Sequence, residues 1–96
     1  MTDYATLEKI DDVSIISLDD GKVNVFSVEM LEAINNCLNE VPKDSGSLVL
    51  RGKEGIFSAG FDLKTFASGD MNKISKMSDL GMRFMYDIFT FPRPVV

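Results

Sequence analysis

The stretch FSAGFDL, residues 57–63, places two small residues after a serine and follows them with an acid. Ala59 and Gly60 leave the neighbouring backbone amides uncovered, so that a bound group can approach the main chain closely. Backbone amides arranged in this way bind anions even in a chain that is acidic overall. The same two residues also suit a tight turn at the end of a strand, and both interpretations are open at this point.

Several other kinds of site are excluded by residue type or by spacing. The chain has no histidine, so a Ser-His or Cys-His nucleophilic pair cannot be assembled within it. Its single cysteine, Cys37, lies on the apolar face of a predicted helix and is interpreted as a small core residue. One cysteine and scattered carboxylates predict no metal site. Gly46 and Gly52 are too far apart for a phosphate-binding P-loop, and Glu54 stands where such a loop has Ser or Thr.

The beginning of the chain is predicted to form a β-hairpin. Residues 4–10 and 13–18 are short runs with β-branched residues, and the pair Asp11-Asp12 between them predicts a tight turn. The turn residues DDGK, at positions 19–22, end the second strand.

From Ser27 the apolar residues recur at steps of three and four, which predicts an amphipathic helix. Ser27 is the predicted N-cap, and Glu29 and Glu32 lie near the positive end of the helix dipole. Pro42 and Gly46 end this segment. The residues predicted to share its apolar face are Met30, Leu31, Ile34, Cys37, Leu38 and Val41.

SLVLR, residues 47–51, predicts a buried parallel strand, and the order strand, helix, strand predicts a right-handed crossover. FSAGFDL follows this strand, within a polar segment that extends to about residue 73. A second helix with one largely buried face is predicted next; Pro92 and Pro94 end it, and Val95-Val96 begins another strand. The apolar positions of that face are Ile74, Met77, Leu80, Phe84, Ile88 and Phe91.

Length and composition limit the class of protein. A chain of 96 residues forms at most one small domain with a thin core. A net charge of −5 and the lack of clustered Lys and Arg argue against a nucleic-acid partner. No run approaches the roughly eighteen apolar residues of a membrane span, so no membrane partner is expected. The single cysteine and a start without leader features predict a cytoplasmic location.

The chain contains GKVNVFS at residues 21–27, GKEGIFSAGFDLKTF at 52–66 after the strand SLVLR, and a helix that ends in FPRPVV. Together these motifs resemble the N-terminal part of the crotonase, or enoyl-CoA hydratase/isomerase, family. The resemblance covers roughly residues 5–96 in the family's order, and the A-G-x-D-L element, Ala59 to Leu63, is its most specific part. It implies an α/β fold of the crotonase type, in which ββα units wind into a spiral. Residues 1–96 would be the N-terminal portion of one such domain, truncated at the strand that starts near Pro94.

The resemblance also implies a use for FSAGFDL. In this family the residue matching Ala59 offers its backbone N–H to the thioester carbonyl of an acyl-CoA, as half of an oxyanion hole. Coenzyme A is part of the substrate, and the resemblance implies no separate cofactor or metal. The residues implied to line the CoA groove are Lys22, Val23, Val25, Ser58, Gly60, Phe61, Asp62 and Leu63.

Structural roles are predicted for some of the same residues. Asp62 is expected to cap a turn or a helix start, Asn24 to hold a loop, and Phe61 to turn away and pack. Lys22 and Lys64 either attract CoA phosphates or are ordinary solvated lysines.

The function predicted for the intact protein is that of an enoyl-CoA hydratase or isomerase, assembled as a homotrimer or hexamer. The resemblance implies that the second oxyanion-hole amide and the acid/base carboxylates lie beyond Val96. Phe84, Met85 and Phe89 are expected to pack in the core rather than face an acyl tail. The alternative is a non-catalytic, truncated remnant or interaction module that keeps the fold.

Overall fold

The computed structural model describes residues 3–96, and its largest elements are a three-stranded sheet and two helices. The architecture is the predicted mixture of strands and helices. In chain order the elements are β1 (Ala5–Ile10), β2 (Val13–Leu18), β3 (Val25–Phe26), α1 (Val28–Leu38), β4 (Ser47–Arg51), β5 (Gly60–Phe61), α2 (Leu63–Ala67) and α3 (Met71–Phe89).

The sheet has the order β1-β2-β4 and confirms the predicted hairpin. β1 and β2 are antiparallel, with Ala5 opposite Leu18 and Ile10 opposite Val13. The turn between them holds Asp11 at φ 55, a conformation that aspartate tolerates better than most residues. β4 then pairs with β2 in parallel, as predicted for a strand reached through a helical crossover.

Helix α1 covers one face of this sheet and starts at the predicted cap. The Ser27 hydroxyl accepts a hydrogen bond from the Met30 N–H at 3.1 Å. The helix ends at Leu38, one turn before the predicted limit, and hydrogen bonds over three residues carry Val41 back onto the core. The fully or nearly fully buried residues of this core include Ile16, Leu18, Met30, Ile34 and Leu48.

Helix α3 packs against α1 through one side only. Met77 is fully buried, and the Phe84 ring lies 5.6 Å from the ring of Phe26. The expectation that Met85 and Phe89 pack in the core is wrong for this structure, since they are 63% and 90% exposed. They lie on the side of α3 that faces away from α1, and no element of residues 3–96 covers them.

The last residues extend the sheet, as predicted for a strand that begins at Val95. The Leu48 N–H donates to the Pro94 carbonyl at 2.9 Å, and the Val96 N–H donates to the Leu48 carbonyl at 3.0 Å. Val95 therefore pairs in parallel with Leu48 on the side of β4 that β2 leaves open. Within residues 3–96 no helix has both the length and the apolar character needed to cross a membrane.

Gly46 allows β4 to start directly beside the hairpin turn. Its φ is +78, and a Cβ at this position would overlap the carbonyl oxygen of Asp12. That carbonyl accepts the Ser47 N–H at 3.1 Å, the hydrogen bond with which the β2–β4 pairing begins. The parallel pairing therefore depends on a residue without a side chain at position 46.

We predict that Gly46→Ala destabilises the chain by about 3 kcal/mol or more, because it combines backbone strain with a clash against a fixed carbonyl. Gly21→Ala is the matched control, since Gly21 has φ +79 and a Cβ there meets nothing within 4 Å. This control should cost only about 1–2 kcal/mol. Urea unfolding followed by circular dichroism measures both variants. Equal losses would show that the close approach to Asp12 does not matter.

Candidate functional site

Asn24 holds two distant segments of the chain together and has the loop-holding role predicted for it. Its side chain is fully buried and donates to the Leu18 carbonyl and the Phe57 carbonyl, both at 3.0 Å. Its Oδ1 accepts the Asp20 N–H at 3.0 Å. Asn24 adopts φ 54, which asparagine tolerates. The loop after β2 is thereby fixed against the start of FSAGFDL.

The Asp20 carboxylate organises the same loop from its other side. It accepts the backbone N–H groups of Lys22 at 2.8 Å, Asn24 at 2.9 Å and Val25 at 3.1 Å. Desolvation by burial raises the pKa of Asp20, but these hydrogen bonds and the charge of Lys53 together lower it, and the net pKa lies below the ordinary value of 3.8. Asp20 is therefore held as a carboxylate that binds backbone amides.

Ser58 and Ala59 are both joined to this loop by hydrogen bonds. The Ser58 hydroxyl donates to the Asn24 carbonyl at 2.6 Å and accepts the Gly60 N–H at 3.0 Å. The Ala59 N–H donates to the Val23 carbonyl at 2.9 Å. The predicted role of Ala59 as the oxyanion donor does not fit this geometry, because its amide already has a partner within the protein.

The residues after Ala59 form β5 and then the short helix α2. Gly60 has φ +90, and β5 pairs in parallel with β3, with Val25 opposite Gly60 and Phe26 opposite Phe61. Asp62 caps α2 as predicted, since its carboxylate accepts the Lys64 N–H at 3.2 Å and the Thr65 hydroxyl at 2.9 Å. The polar composition of this segment did not predict α2 itself.

A groove of about 300 Å³ lies where these two loops meet. It brings together four of the predicted site residues: Lys22, Val23, Val25 and Asp62. Ser58, Gly60, Phe61 and Leu63 do not line it. The Ser58 hydroxyl donates to the Asn24 carbonyl of the loop and accepts the Gly60 N–H, and Leu63 is exposed. The full lining consists of Tyr4, Asp20, Lys22, Val23, Val25, Ser27, Glu29, Asp62 and Lys64.

The sequence prediction did not include Tyr4 in the groove. Tyr4 precedes β1, and its carbonyl accepts the Asp19 N–H at 2.8 Å, which places it beside the loop that follows β2. The antiparallel register of the hairpin is the signal that could have found it, because Ala5 opposite Leu18 puts the next pair of residues at this edge.

Some charged groups of the groove already have partners within the protein, and others do not. Glu29 lies 3.7 Å from the Lys73 ammonium, while the carboxylates of Asp20 and Asp62 accept backbone amides. Lys22 and Lys64 form no salt bridge within residues 3–96. The same residues contain no cluster of His, Cys, Asp and Glu that could hold a metal ion. The groove therefore offers two unpaired cations to a ligand.

A sequence model of the family described as Enoyl-CoA hydratase/isomerase matches residues 8–96, nearly the whole chain. The chain belongs to this family. The match confirms the predicted resemblance, and the similarity to solved structures confirms the predicted crotonase-type α/β fold.

Individual relatives agree with this assignment. A probable enoyl-CoA hydratase of Bacillus subtilis (strain 168) is 31% identical over 87 residues, which is 88% of this chain and 34% of that protein. The structure of the probable enoyl-CoA hydratase EchA3 from Mycobacterium tuberculosis H37Rv is 34% identical and superimposes with a TM-score of 0.91, over 97% of this chain and 40% of that chain.

A relative with a different chemistry shares the fold. Methylmalonyl-CoA decarboxylase, solved in complex with 2-nitronate-propionyl-CoA, is 26% identical with a TM-score of 0.76, over 96% of this chain and 36% of that chain. Across these comparisons the chain spans about a third to two fifths of the length of the proteins it matches.

We predict that Asn24→Ala lowers the free energy of unfolding by about 2–4 kcal/mol, because two carbonyls lose their donor. Asp11→Ala is the control for backbone strain, since Asp11 has φ 55 and its exposed side chain makes no hydrogen bond within residues 3–96. That control should cost about 1 kcal/mol. Urea unfolding measures the difference, and equal losses would mean that the Asn24 bridges contribute nothing.

The lowered pKa of Asp20 predicts a pH-dependent contribution to stability. Because folding favours its ionised form, the contribution is fully present above the unfolded pKa of about 3.8 and is lost as the pH falls through the lower folded value. Asp20→Asn should therefore be less stable than the unsubstituted chain at neutral pH. The difference in the free energy of unfolding between the two chains should become smaller below pH 3.8, and unfolding measured across this pH range would show it. A gap that is constant with pH would contradict the prediction.

Proposed function

We propose that this chain binds an acyl-CoA or enoyl-CoA thioester in the groove between its two loops and polarises the thioester carbonyl, as part of an enoyl-CoA hydratase or isomerase. The observation that carries the proposal is a groove lined by Lys22, Val23 and Val25 of the loop after β2 and by Asp62 and Lys64 at the start of α2, in a chain of this family. The complex of the related decarboxylase with a CoA derivative supports CoA as the ligand. A cytoplasmic location and a trimeric or hexameric assembly stay predictions.

The two unpaired lysines of the groove are suited to bind the phosphates of CoA. Lys22 comes from the loop after β2 and Lys64 from the first turn of α2, and both line the same groove. The groove carboxylates do not cancel them fully, because Glu29 is paired and both aspartates accept backbone N–H groups. Two ammonium groups of this kind attract phosphate as point charges, with a strength that falls as salt is added.

The geometry of the β3–β5 pair favours the Phe61 amide as the donor to the thioester oxygen. Val25 donates its N–H to Asp20, and Ser27 donates its N–H to the Val25 carbonyl. Neither N–H therefore donates to a carbonyl of β5. Phe26 then supplies the donor of β3 in this parallel pairing. In a parallel pair the residue opposite such a donor points its own N–H away from the partner strand. That residue is Phe61.

An amide fixed in this way suits the chemistry of the family. A thioester that becomes an enolate gathers negative charge on its oxygen, and one fixed donor to such an oxygen is worth roughly 3–4 kcal/mol in comparable sites. Hydration of the double bond also needs one group to activate water and another to supply a proton. Asp20 and Asp62 are unsuited to that work, because each accepts hydrogen bonds that hold its own loop.

We predict that Lys22→Ala and Lys64→Ala each weaken CoA binding about three- to tenfold at low salt, and less at high salt. Lys9→Ala is the control, because Lys9 is an exposed lysine of β1 outside the groove. Calorimetric titration with CoA measures all three variants. An equal loss in the Lys9 variant would show a general effect of net charge and would contradict a site at the groove.

A second titration tests the carbonyl directly. Butyryl-CoA carries a thioester, whereas S-butyl-CoA is a thioether of the same length without the carbonyl oxygen. The chain should bind butyryl-CoA about three- to tenfold more tightly, the worth of one amide hydrogen bond. Equal affinities would contradict the proposed polarisation and would favour the alternative of a non-catalytic module that keeps only the CoA groove.

A further inference from the structure

Gly81 lies in the middle of α3, at a position where glycine destabilises a helix relative to alanine. It is buried, and its backbone is helical, so no unusual dihedral angle requires a glycine here. A steric reason must therefore offset the cost to the helix.

The aromatic ring of Phe61 supplies that reason. A Cβ built on Gly81 would lie 2.5 Å from both Cε1 and Cζ of Phe61, and the third nearest atom, at 3.8 Å, belongs to the same ring. Such a distance is far below ordinary van der Waals contact between carbon atoms. The absence of a side chain at position 81 thus makes room for the Phe61 ring.

Phe61 is 37% exposed, and the contact with Gly81 holds one edge of its ring. The Phe61 ring also meets the ring of Phe66 edge to face, with centroids 6.2 Å apart, so it is held between α3 and α2. α3 is itself fixed by the buried Met77 and by the contact of Phe84 with Phe26. β5 has only two residues, and an anchored ring at one of them limits how the strand can rotate.

We propose that Gly81 is a positioning residue: it seats the Phe61 ring on α3 and thereby sets the direction of the Phe61 N–H that polarises the thioester. This inference rests on the proposed function of Phe61. It assigns no contact with substrate to Gly81. Its action is transmitted through one side chain, since an added methyl group must displace the ring before anything else moves.

The test is the ratio of the affinities for butyryl-CoA and S-butyl-CoA, measured by calorimetry on the chain and on Gly81→Ala. The variant should lose the preference of about three- to tenfold for the thioester and should keep the affinity for the thioether. Met82→Ala is the neighbouring control, because Met82 is exposed on the same helix. It should keep both affinities. Circular dichroism should show that the helical content of Gly81→Ala is preserved, since alanine favours the helix.

A compensating variant keeps the test valid if Gly81→Ala alone folds poorly. Gly81→Ala combined with Phe61→Leu gives the new methyl group room and should regain part of the thioester preference. If the unsubstituted chain shows no preference, the proposed donor is wrong. If the unsubstituted chain prefers the thioester and Gly81→Ala keeps that preference, the ring has moved without moving the Phe61 amide. The role proposed for Gly81 is then wrong. If the double variant regains none of the thioester preference, that result also contradicts the role proposed for Gly81.

Discussion

The buried side-chain amide of Asn24 donates to two carbonyls from distant parts of the chain, those of Leu18 and Phe57. A buried carbonyl left without a donor costs free energy, so these contacts fix where the loop after β2 meets the stretch FSAGFDL. The groove and the position of β5 beside β3 depend on that junction. The Ser58 hydroxyl reinforces it by donating to the Asn24 backbone carbonyl.

The carboxylates at the groove of this acidic chain all have internal partners. The net charge is −5, yet the aspartates at the groove accept backbone amides from their own loops. The carboxylate of Glu29 is paired with Lys73. The two groove lysines remain available in consequence. Local pairing thus decides which charged groups of this surface are left for a ligand, although the carboxylates keep their negative charge.

The sequence predicted the elements that short-range patterns determine. The hairpin around Asp11, the cap at Ser27 and the cap at Asp62 were expected from residue type and position, and the structure has them. The mistakes concern long-range contacts. The partner of the Ala59 amide, a carbonyl of the preceding loop, leaves no mark in the local sequence. Likewise, helical periodicity placed apolar residues on α3 but could not show that Phe89 is 90% exposed, with no element of residues 3–96 covering it.

The central claim, that Phe61 and not Ala59 donates to the thioester oxygen, is tested most directly by nuclear magnetic resonance. The chain would be labelled with ¹⁵N at phenylalanine and alanine and titrated with butyryl-CoA and S-butyl-CoA. The amide proton of Phe61 should move downfield with the thioester and much less with the thioether, while that of Ala59 stays near its starting position because it keeps its bond to Val23. A carbonyl-dependent shift at Ala59 with none at Phe61 would contradict the account.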